Sequence, residues 1–361
     1  MRLERRSVPS APALLLAPLA AIAATLGASA LLVLWAGAPV GRTYAAIVAG
    51  GFGSLFAWSE TLTRAVPLIL TGLAATVAFK ARLYNIGAEG QLYGGAMAAV
   101  AVGHLFVTEG AEGAAALALP AWLALAFVFA AAALAGALLL LGPAWLKARL
   151  GVDEVVTTLL LNFVILLGVS ALLDGPMKDP GAMGWPQSVP LPAELELTKL
   201  FPGSRLHSGL AIAAALALVV WLVFRHTVLG FQIRASGANA QAAAFAGVPA
   251  LRTTLVVAMI SGGIAGLAGA IEVAGRTGYV TLDMSPGYGY SGIVIAMLAA
   301  LHPLAVVAAS IFVAGVLVGA DSMSRVVGVP TYIADVVVAT SLIAVLVATM
   351  LAQYRVRWRL G

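Results

Sequence analysis

The chain has 361 residues, 62% hydrophobic and 10% charged, with 20 Lys and Arg against 15 Asp and Glu and a net charge of +5. A soluble domain needs roughly 25% charged residues to cover its surface, so lipid rather than water is the main solvent of this chain, and a mean hydropathy of +1.03 agrees. The absence of cysteine excludes a disulfide framework and a thiolate nucleophile, and the basic residues, set in short loops between apolar runs, govern topology and give no nucleic-acid surface.

A helix needs about 20 apolar residues to cross roughly 30 Å of hydrocarbon. By that measure the chain is an all-α integral membrane protein, a single transmembrane domain over 1–361. About ten transmembrane helices are expected, near 11–35, 62–79, 86–107, 114–141, 154–173, 207–224, 253–273, 288–301, 303–320 and 331–352. Arg2, Arg5 and Arg6 precede the first. At about 25 residues it exceeds the 7–15 of a secretory apolar region, so it is expected to be retained. The eighth is short and runs into His302-Pro303. That pair is either a tight turn between full spans or the elbow of a broken or re-entrant helix.

Charge placement orients the chain. With the N-terminus in the cytoplasm, the inner side collects Arg2, Arg5, Arg6, Lys80, Arg82, Lys147, Arg149, Arg225, Arg234, Arg252, Arg355, Arg357 and Arg359, which is 13 of the 20 basic residues. An even number of spans then leaves both termini inside. The outer segment 174–206 carries Pro176, Pro180, Pro186, Pro190, Pro192 and Pro202, cannot be a helix in lipid, and reads as an external cap. The inner segment 225–252 is alanine-rich and has room for a short surface helix. Five spans precede the outer segment and five follow it, so two inverted five-helix halves are expected, as in many transporters.

Three segments carry candidate chemistry. YNIGAEGQLYGGAMAA (84–99) takes Glu89 into the third span, flanked by Asn85 and Gln91. A carboxylate at mid-bilayer costs about 2.5–3.5 kcal/mol. The segment is either part of a transport pathway or a packing motif in which Glu89 pairs with Lys80, Arg82 or a neighbouring helix terminus. In GVDEVVTTLLLNF (151–163), Asp153 and Glu154 suit the positive start of a span, and Asn162 bonds across helices or lines a polar path. GYGYSG (287–292) matches a dinucleotide-binding pattern only formally, because it opens a membrane helix. Its Tyr288 and Tyr290 suit an interface belt or an aromatic surface for a planar solute. The candidate pathway residues are therefore Asn85, Glu89, Gln91, Asn162, Tyr288 and Tyr290. A further run, SGGIAGLAG (261–269), has the spacing of tight helix packing. There is no P-loop, no zinc-protease or serine-hydrolase signature and no histidine cluster for a metal, so neither catalysis nor a cofactor is expected.

In their order and spacing these segments resemble permeases of the branched-chain amino acid, simple-sugar and nucleoside branch of ABC importers. YNIGAEGQLYGGAMAA resembles the family signature, and GVDEVVTTLLLNF the segment that follows it in nucleoside-type members. LGFQIRASGANAQAAAFAGV (229–248) resembles the cytoplasmic loop that meets the ATPase, and GYGYSGIVIAMLAALHP (287–303) the next landmark. DGPMKDPGAMGWPQSVP (174–190) resembles the outer insertion of the larger of two paired nucleoside permeases. The resemblance implies a bacterial inner-membrane permease subunit for nucleosides or purine derivatives, with simple sugars next. ATP hydrolysis is then expected on a separate cytoplasmic ATP-binding subunit. The other implied partners are a second permease, a shorter paralogue, and an external solute-binding protein of periplasmic or lipoprotein type. Arg234, Gly237, Asn239, Ala243 and Gly247 match the coupling pattern. The rival from another class is an ion-coupled secondary transporter, which needs its own ion site and no ATPase.

Overall fold

The computed structural model describes residues 2–5, 27, 29–106, 119–328, single positions between 336 and 347, and 354–357. In hydrocarbon a backbone must satisfy its own N–H and C=O groups, which a helix does within one segment. The helices are α1 Ser29–Trp35, α2 Val40–Phe52, α3 Leu55–Lys80, α4 Ala88–Gly103, α5 Ala121–Leu150, α6 Glu154–Asp174, α7 Gly209–His226, α8 Val228–Ala238, α9 Ala240–Phe245, α10 Ala250–Glu272, α11 Tyr288–Leu298 and α12 Pro303–Val327. A π turn, Val273–Thr277, continues α10. The chain forms two compact units, one of residues 62–311 and one of 1–61 with 312–361.

Among the described residues, six helices are long and apolar enough to cross a membrane: α3, α5, α6, α7, α10 with its π turn, and α12. The bent pair α1 and α2 makes a seventh. Most of the expected span 11–35 and nearly all of 331–352 lie outside the described residues. Helix α5 runs to Leu150, beyond the expected end at 141, because the internal Pro143 does not stop a helix in lipid; Gly151, at a φ of 67°, ends it. Helices α4 and α11 have 16 and 11 residues. At 1.5 Å per residue they reach about 24 and 16 Å, less than the hydrocarbon thickness. The expected span 288–301 is thus a short helix, followed at Ala300 and Leu301 by a turn with positive φ at both residues.

In the unit of 1–61 with 312–361, α1 and α2 meet at 116°. The break follows from Gly37, at a φ of 73°, and from Pro39, which precedes α2. Helix α2 was not expected, since its glycines disguise it. Those glycines let it pack on the 312–327 part of α12, with Gly51 against the Gly315 backbone and Gly319 against that of Ile47. Arg2–Arg5 pairs antiparallel with Tyr354–Arg357, the one two-stranded sheet among the described residues.

The core of the 62–311 unit is α4, α5 and α10, packed backbone to backbone. A Cβ added at Gly95 would overlap the Gly266 backbone, one at Gly136 the Gly262 carbonyl, and one at Gly266 the Ala132 carbonyl. Lipid tails are as apolar as leucine, so close approach and dispersion supply the helix attraction here. The expected packing role of 261–269 is what the structure shows. Segment 175–208 has no α-helix, only a single 3₁₀ turn, Ala193–Leu195. Its backbone donates from Ser188 to the Val280 carbonyl (2.9 Å), from Leu191 to that of Gly278 (2.7 Å) and from Leu197 to that of Ala274 (2.8 Å). Those carbonyls lie in and just after the π turn, where helical N–H donors run out.

Gly266→Leu should therefore destabilise the purified chain by about 1–3 kcal/mol or more, the cost of overpacking a dense interface, measured as a fall in thermal midpoint. Gly263→Ala, whose added Cβ would meet only an ordinary contact at 3.4 Å, should leave the midpoint near that of the parent.

Candidate functional site

Two helices begin beside one another inside the 62–311 unit, and the candidate pathway residues gather around their starts. Gly289, in the first turn of α11, lies so close to Ala88 and Glu89 of α4 that any side chain would strike their backbone. Glu89 is buried, and its Oε2 accepts from the Gly289 N–H at 2.6 Å. Ser285 and the Gly287 backbone also face this carboxylate. Glu89 is therefore a cap on a neighbouring helix start, where a negative charge meets the positive end of the helix dipole.

The remaining candidates complete the start of α4. Asn85 Oδ1 accepts from the Gly87 N–H and from Gln91 Nε2, both at 2.9 Å, and Asn85 Nδ2 donates to Gln91 Oε1 (2.9 Å) and Ser261 Oγ (3.2 Å). Ser261 in turn donates to the Ala74 carbonyl at 2.8 Å, tying α10 to α3. Asn162 Oδ1 accepts from the Gly90 N–H (2.8 Å), while its Nδ2 donates to the Ile86 carbonyl (2.8 Å) and to Tyr290 Oη (3.2 Å). The Tyr288 carbonyl accepts from Thr71 Oγ1 at 2.9 Å. Asn85, Glu89, Gln91, Asn162 and Tyr288 are all buried, and Tyr290 alone is 38% exposed. The structure thus brings the six together, with their polar atoms engaged largely with one another and with backbone.

A second buried group was not singled out from the sequence. Glu272, the last residue of α10, pairs with Arg276 of the π turn, and its Oε2 is buried with no hydrogen-bond partner among the described residues. Arg276 Nη2 donates to the Met284 carbonyl at 3.0 Å. Arg64 lies near enough to act electrostatically on Glu272 and Tyr288. Tyr93 Oη donates to the Leu282 carbonyl (2.5 Å) and accepts from the Ser285 N–H (3.3 Å). Together these groups fix the loop that leads into α11. The signal available was an acid and an arginine four apart in an apolar run. His207, two residues before α7, is buried against Gly275 of the same π turn. Burial first, and Arg276 second, lower its pKa from 6.5 to about 4.

At α6, Asp153 caps the helix as expected, accepting from the Val155 N–H at 2.8 Å. Glu154 does more than favour the helix dipole. It accepts from the Tyr84 N–H at 3.1 Å and pairs with Lys147, which also donates to the Arg82 carbonyl. That knot sets the entry of 84–91 into α4.

The coupling candidates occupy α8, α9 and the turns beside them. Asn239 caps α9, its Oδ1 accepting from the Gln241 and Ala242 N–H groups at 3.0 Å. Gly247 turns the chain at a φ of 85°, and Ala243 is buried. Gly237 is wedged against the Lys80 carbonyl. A bulky residue there would displace α8 from the end of α3, so Gly237 positions the segment. Arg234 is exposed and acts electrostatically on Lys80. Phe245, missed in the sequence, is 97% exposed at the end of α9.

A family model described as branched-chain amino acid transport system / permease component matches residues 57–346. The chain belongs to that family. It is a multi-pass inner-membrane protein of a transporter family, whose members work with an ATP-binding subunit and a solute-binding protein. It is 35% identical over 352 residues, 96% of both chains, to the guanosine ABC transporter permease protein NupP of Bacillus subtilis. It is also 35% identical over 313 residues, 84% of this chain and 79% of the other, to the glucose ABC transporter permease protein TsgB13 of Haloferax volcanii. A third relative, 29% identical over 304 residues (82% and 80%), is the nucleoside ABC transporter permease protein NupB of Lactococcus lactis. No solved structure matches the chain.

Two outcomes follow for the permease. Glu89→Ala leaves the buried Gly289 N–H without its acceptor and should cost about 1–3 kcal/mol, whereas Glu89→Gln keeps an acceptor and should cost less; thermal unfolding of the purified chain separates them. For His207, the unfolded chain gains its proton near pH 6.5 and the folded chain only near 4. The stability it contributes is complete above about pH 6.5 and is lost as pH falls toward 4. His207→Gln should flatten that decline in a melting series from pH 7 to 4.5.

Proposed function

We propose that this chain is the larger permease subunit of an ATP-driven importer of nucleosides or purine derivatives, paired in the membrane with a shorter paralogue. The observation that carries the solute class is the similarity to NupP along 96% of both chains, supported by NupB. A second reading, a simple sugar, is favoured by the similarity to TsgB13. Both solute classes present hydroxyl-rich rings, and a polar layer of Asn, Gln, Glu and Tyr suits either.

Of ten spans in two inverted halves, the third in each half would be α4 and α11. These are the two short helices, and their starts meet at Glu89 and Gly289. Short, glycine-interrupted segments at corresponding places in two halves are the usual mark of a transporter's solute site. We therefore assign the pathway to this layer, with Asn85, Glu89, Gln91, Asn162, Tyr288 and Tyr290 exchanging internal hydrogen bonds for solute bonds when it opens. No covalent chemistry is asked of them. The pairing of Arg2–Arg5 with Tyr354–Arg357 supports an even number of spans, with both termini cytoplasmic by the excess of basic residues.

In this orientation 225–252 faces the cytoplasm, and α8 and α9 dock on the ATP-binding subunit, which hydrolyses ATP. Phe245 and the surface beside Ala243 supply an apolar anchor for its groove. Gly237 seats the segment on the end of α3, Asn239 and Gly247 shape α9, and the exposed Arg234 offers a charge to the ATP-binding subunit. The segment 174–206 is the external insertion. Its exposed Met183, Trp185 and Phe201 offer a docking surface to the solute-binding protein.

Radiolabelled uptake in cells lacking the chain, complemented with the parent or a variant, tests this reading. Guanosine uptake should collapse on deletion and return with the parent chain, while glucose uptake stays unchanged; the reverse pattern establishes the sugar reading. Phe245→Asp, which leaves the buried side of α9 intact, should lower uptake and copurification of the ATP-binding subunit by about tenfold, the effect of losing an anchor.

A further inference from the structure

Several elements of the 62–311 unit converge on one carboxylate. Glu272 ends α10 with its side chain wholly buried, and Arg276 of the π turn engages its Oε1. Arg64 of α3 acts on it electrostatically, and its own charge reaches Tyr93 of α4 and Tyr288 of α11. The second carboxylate oxygen, Oε2, has no hydrogen-bond partner among the described residues. The charge of Glu272 is thus met by arginine, and what stays open is the capacity of Oε2 to accept a hydrogen bond.

Tyr288 supplies the matching donor. Its hydroxyl is buried and faces the Arg64 side chain. A guanidinium only donates, so Arg64 offers the phenolic hydrogen no acceptor, and none is present among the described residues. Tyr93 differs, because its hydroxyl already donates to the Leu282 carbonyl and accepts from the Ser285 N–H. Buried polar atoms are nearly always hydrogen-bonded, so an acceptor and a donor left open in one cluster call for an occupant. An anion would meet the carboxylate, and a cation the guanidinium groups. A neutral group that gives one hydrogen and takes another fits, which is the chemistry of an alcohol. We propose that Glu272 Oε2 and the Tyr288 hydroxyl together bind one hydroxyl of the transported solute, which donates to the carboxylate and accepts from the phenol. This rests on the assignment of the pathway to the helix-start layer. The cluster borders that layer through Tyr288, next in sequence to the Gly289 N–H that Glu89 accepts from.

Transport into vesicles by the intact complex tests this, with guanosine and its 2′-, 3′- and 5′-deoxy analogues. The same solute-binding protein is used throughout, so any change in preference between variants belongs to the permease. The parent should carry one analogue about tenfold less well than guanosine, the effect of losing a hydrogen bond to a charged group. Tyr288→Phe removes only the hydroxyl and should erase most of that preference, leaving the other two ratios as they were. Glu272→Gln keeps an oxygen for Arg276, presents an amide donor in place of Oε2, and should lower the same preference; if one variant fails to assemble, the other carries the test. Tyr93→Phe, whose hydroxyl is already engaged, should leave all three ratios at the parent values. Equal slowing of guanosine and every analogue by Tyr288→Phe and Glu272→Gln would overturn the proposal and assign the cluster a buried water only. So would a parent that discriminates against no analogue, or a Tyr93→Phe variant that shifts the same ratio as strongly. If the parent carries glucose and not guanosine, the proposed solute falls, and the same variants are read with glucose against 2-, 3- and 6-deoxyglucose, where equal slowing again overturns the site.

Discussion

A carboxylate inside a membrane needs a hydrogen-bonding partner, and a helix that begins there needs acceptors for its first N–H groups. Glu89 and α11 meet both needs at one contact, through Oε2 and the Gly289 N–H. Without it, two polar liabilities would face each other in hydrocarbon. With it, α11 can begin at depth, and the start of α4 can lie against it. That juxtaposition requires glycine at 289, since a side chain would strike the Ala88–Glu89 backbone. The surrounding amides serve the same end, with Asn85 and Asn162 each accepting from a backbone N–H near the start of α4.

Around this contact the molecule divides its labour. The glycine-packed α4, α5 and α10 form a dense base that resists deformation, while the residues at the two helix starts are joined by hydrogen bonds, which can be exchanged. The π turn after α10 sits between them. It carries the Glu272–Arg276 pair and exposes carbonyls that 175–208 takes up. On the other side, Gly237 of α8 rests on Lys80, and five residues later Asn85 enters the polar layer. In the proposed mechanism, movement of α8 and α9 with the ATP-binding subunit reaches the helix starts through that short stretch, which Glu154 and Lys147 hold in register.

The sequence was most legible where lipid imposed the rule. Apolar runs located α6, α7 and α10 closely and all of α3 but its first two turns, and the small-residue run 261–269 reads as packing. The cap at Asp153 was equally plain. Legibility failed where glycine and proline do opposite things in different places. Gly37 and Pro39 break a helix, whereas Pro143 sits inside one. Helix α2 was hidden because its glycines serve an interface that composition cannot display. Glu89 allowed two readings, and the N–H that its carboxylate accepts from lies 200 residues away, beyond any local pattern. The contact of Gly237 with Lys80 is likewise remote in sequence and leaves no local mark. Glu272 and Arg276 carried a visible four-residue spacing, but the π turn that buries them depends on tertiary contacts.

The central claim is that this permease moves its solute by coupling to a separate ATP-binding subunit. The most direct measurement is transport into vesicles containing the purified permease pair, with the ATP-binding subunit and solute-binding protein added and removed in turn. The account predicts accumulation of guanosine only when both are present and ATP is available, with an ion gradient making no difference. Accumulation driven by an ion gradient in vesicles that lack the ATP-binding subunit would contradict it.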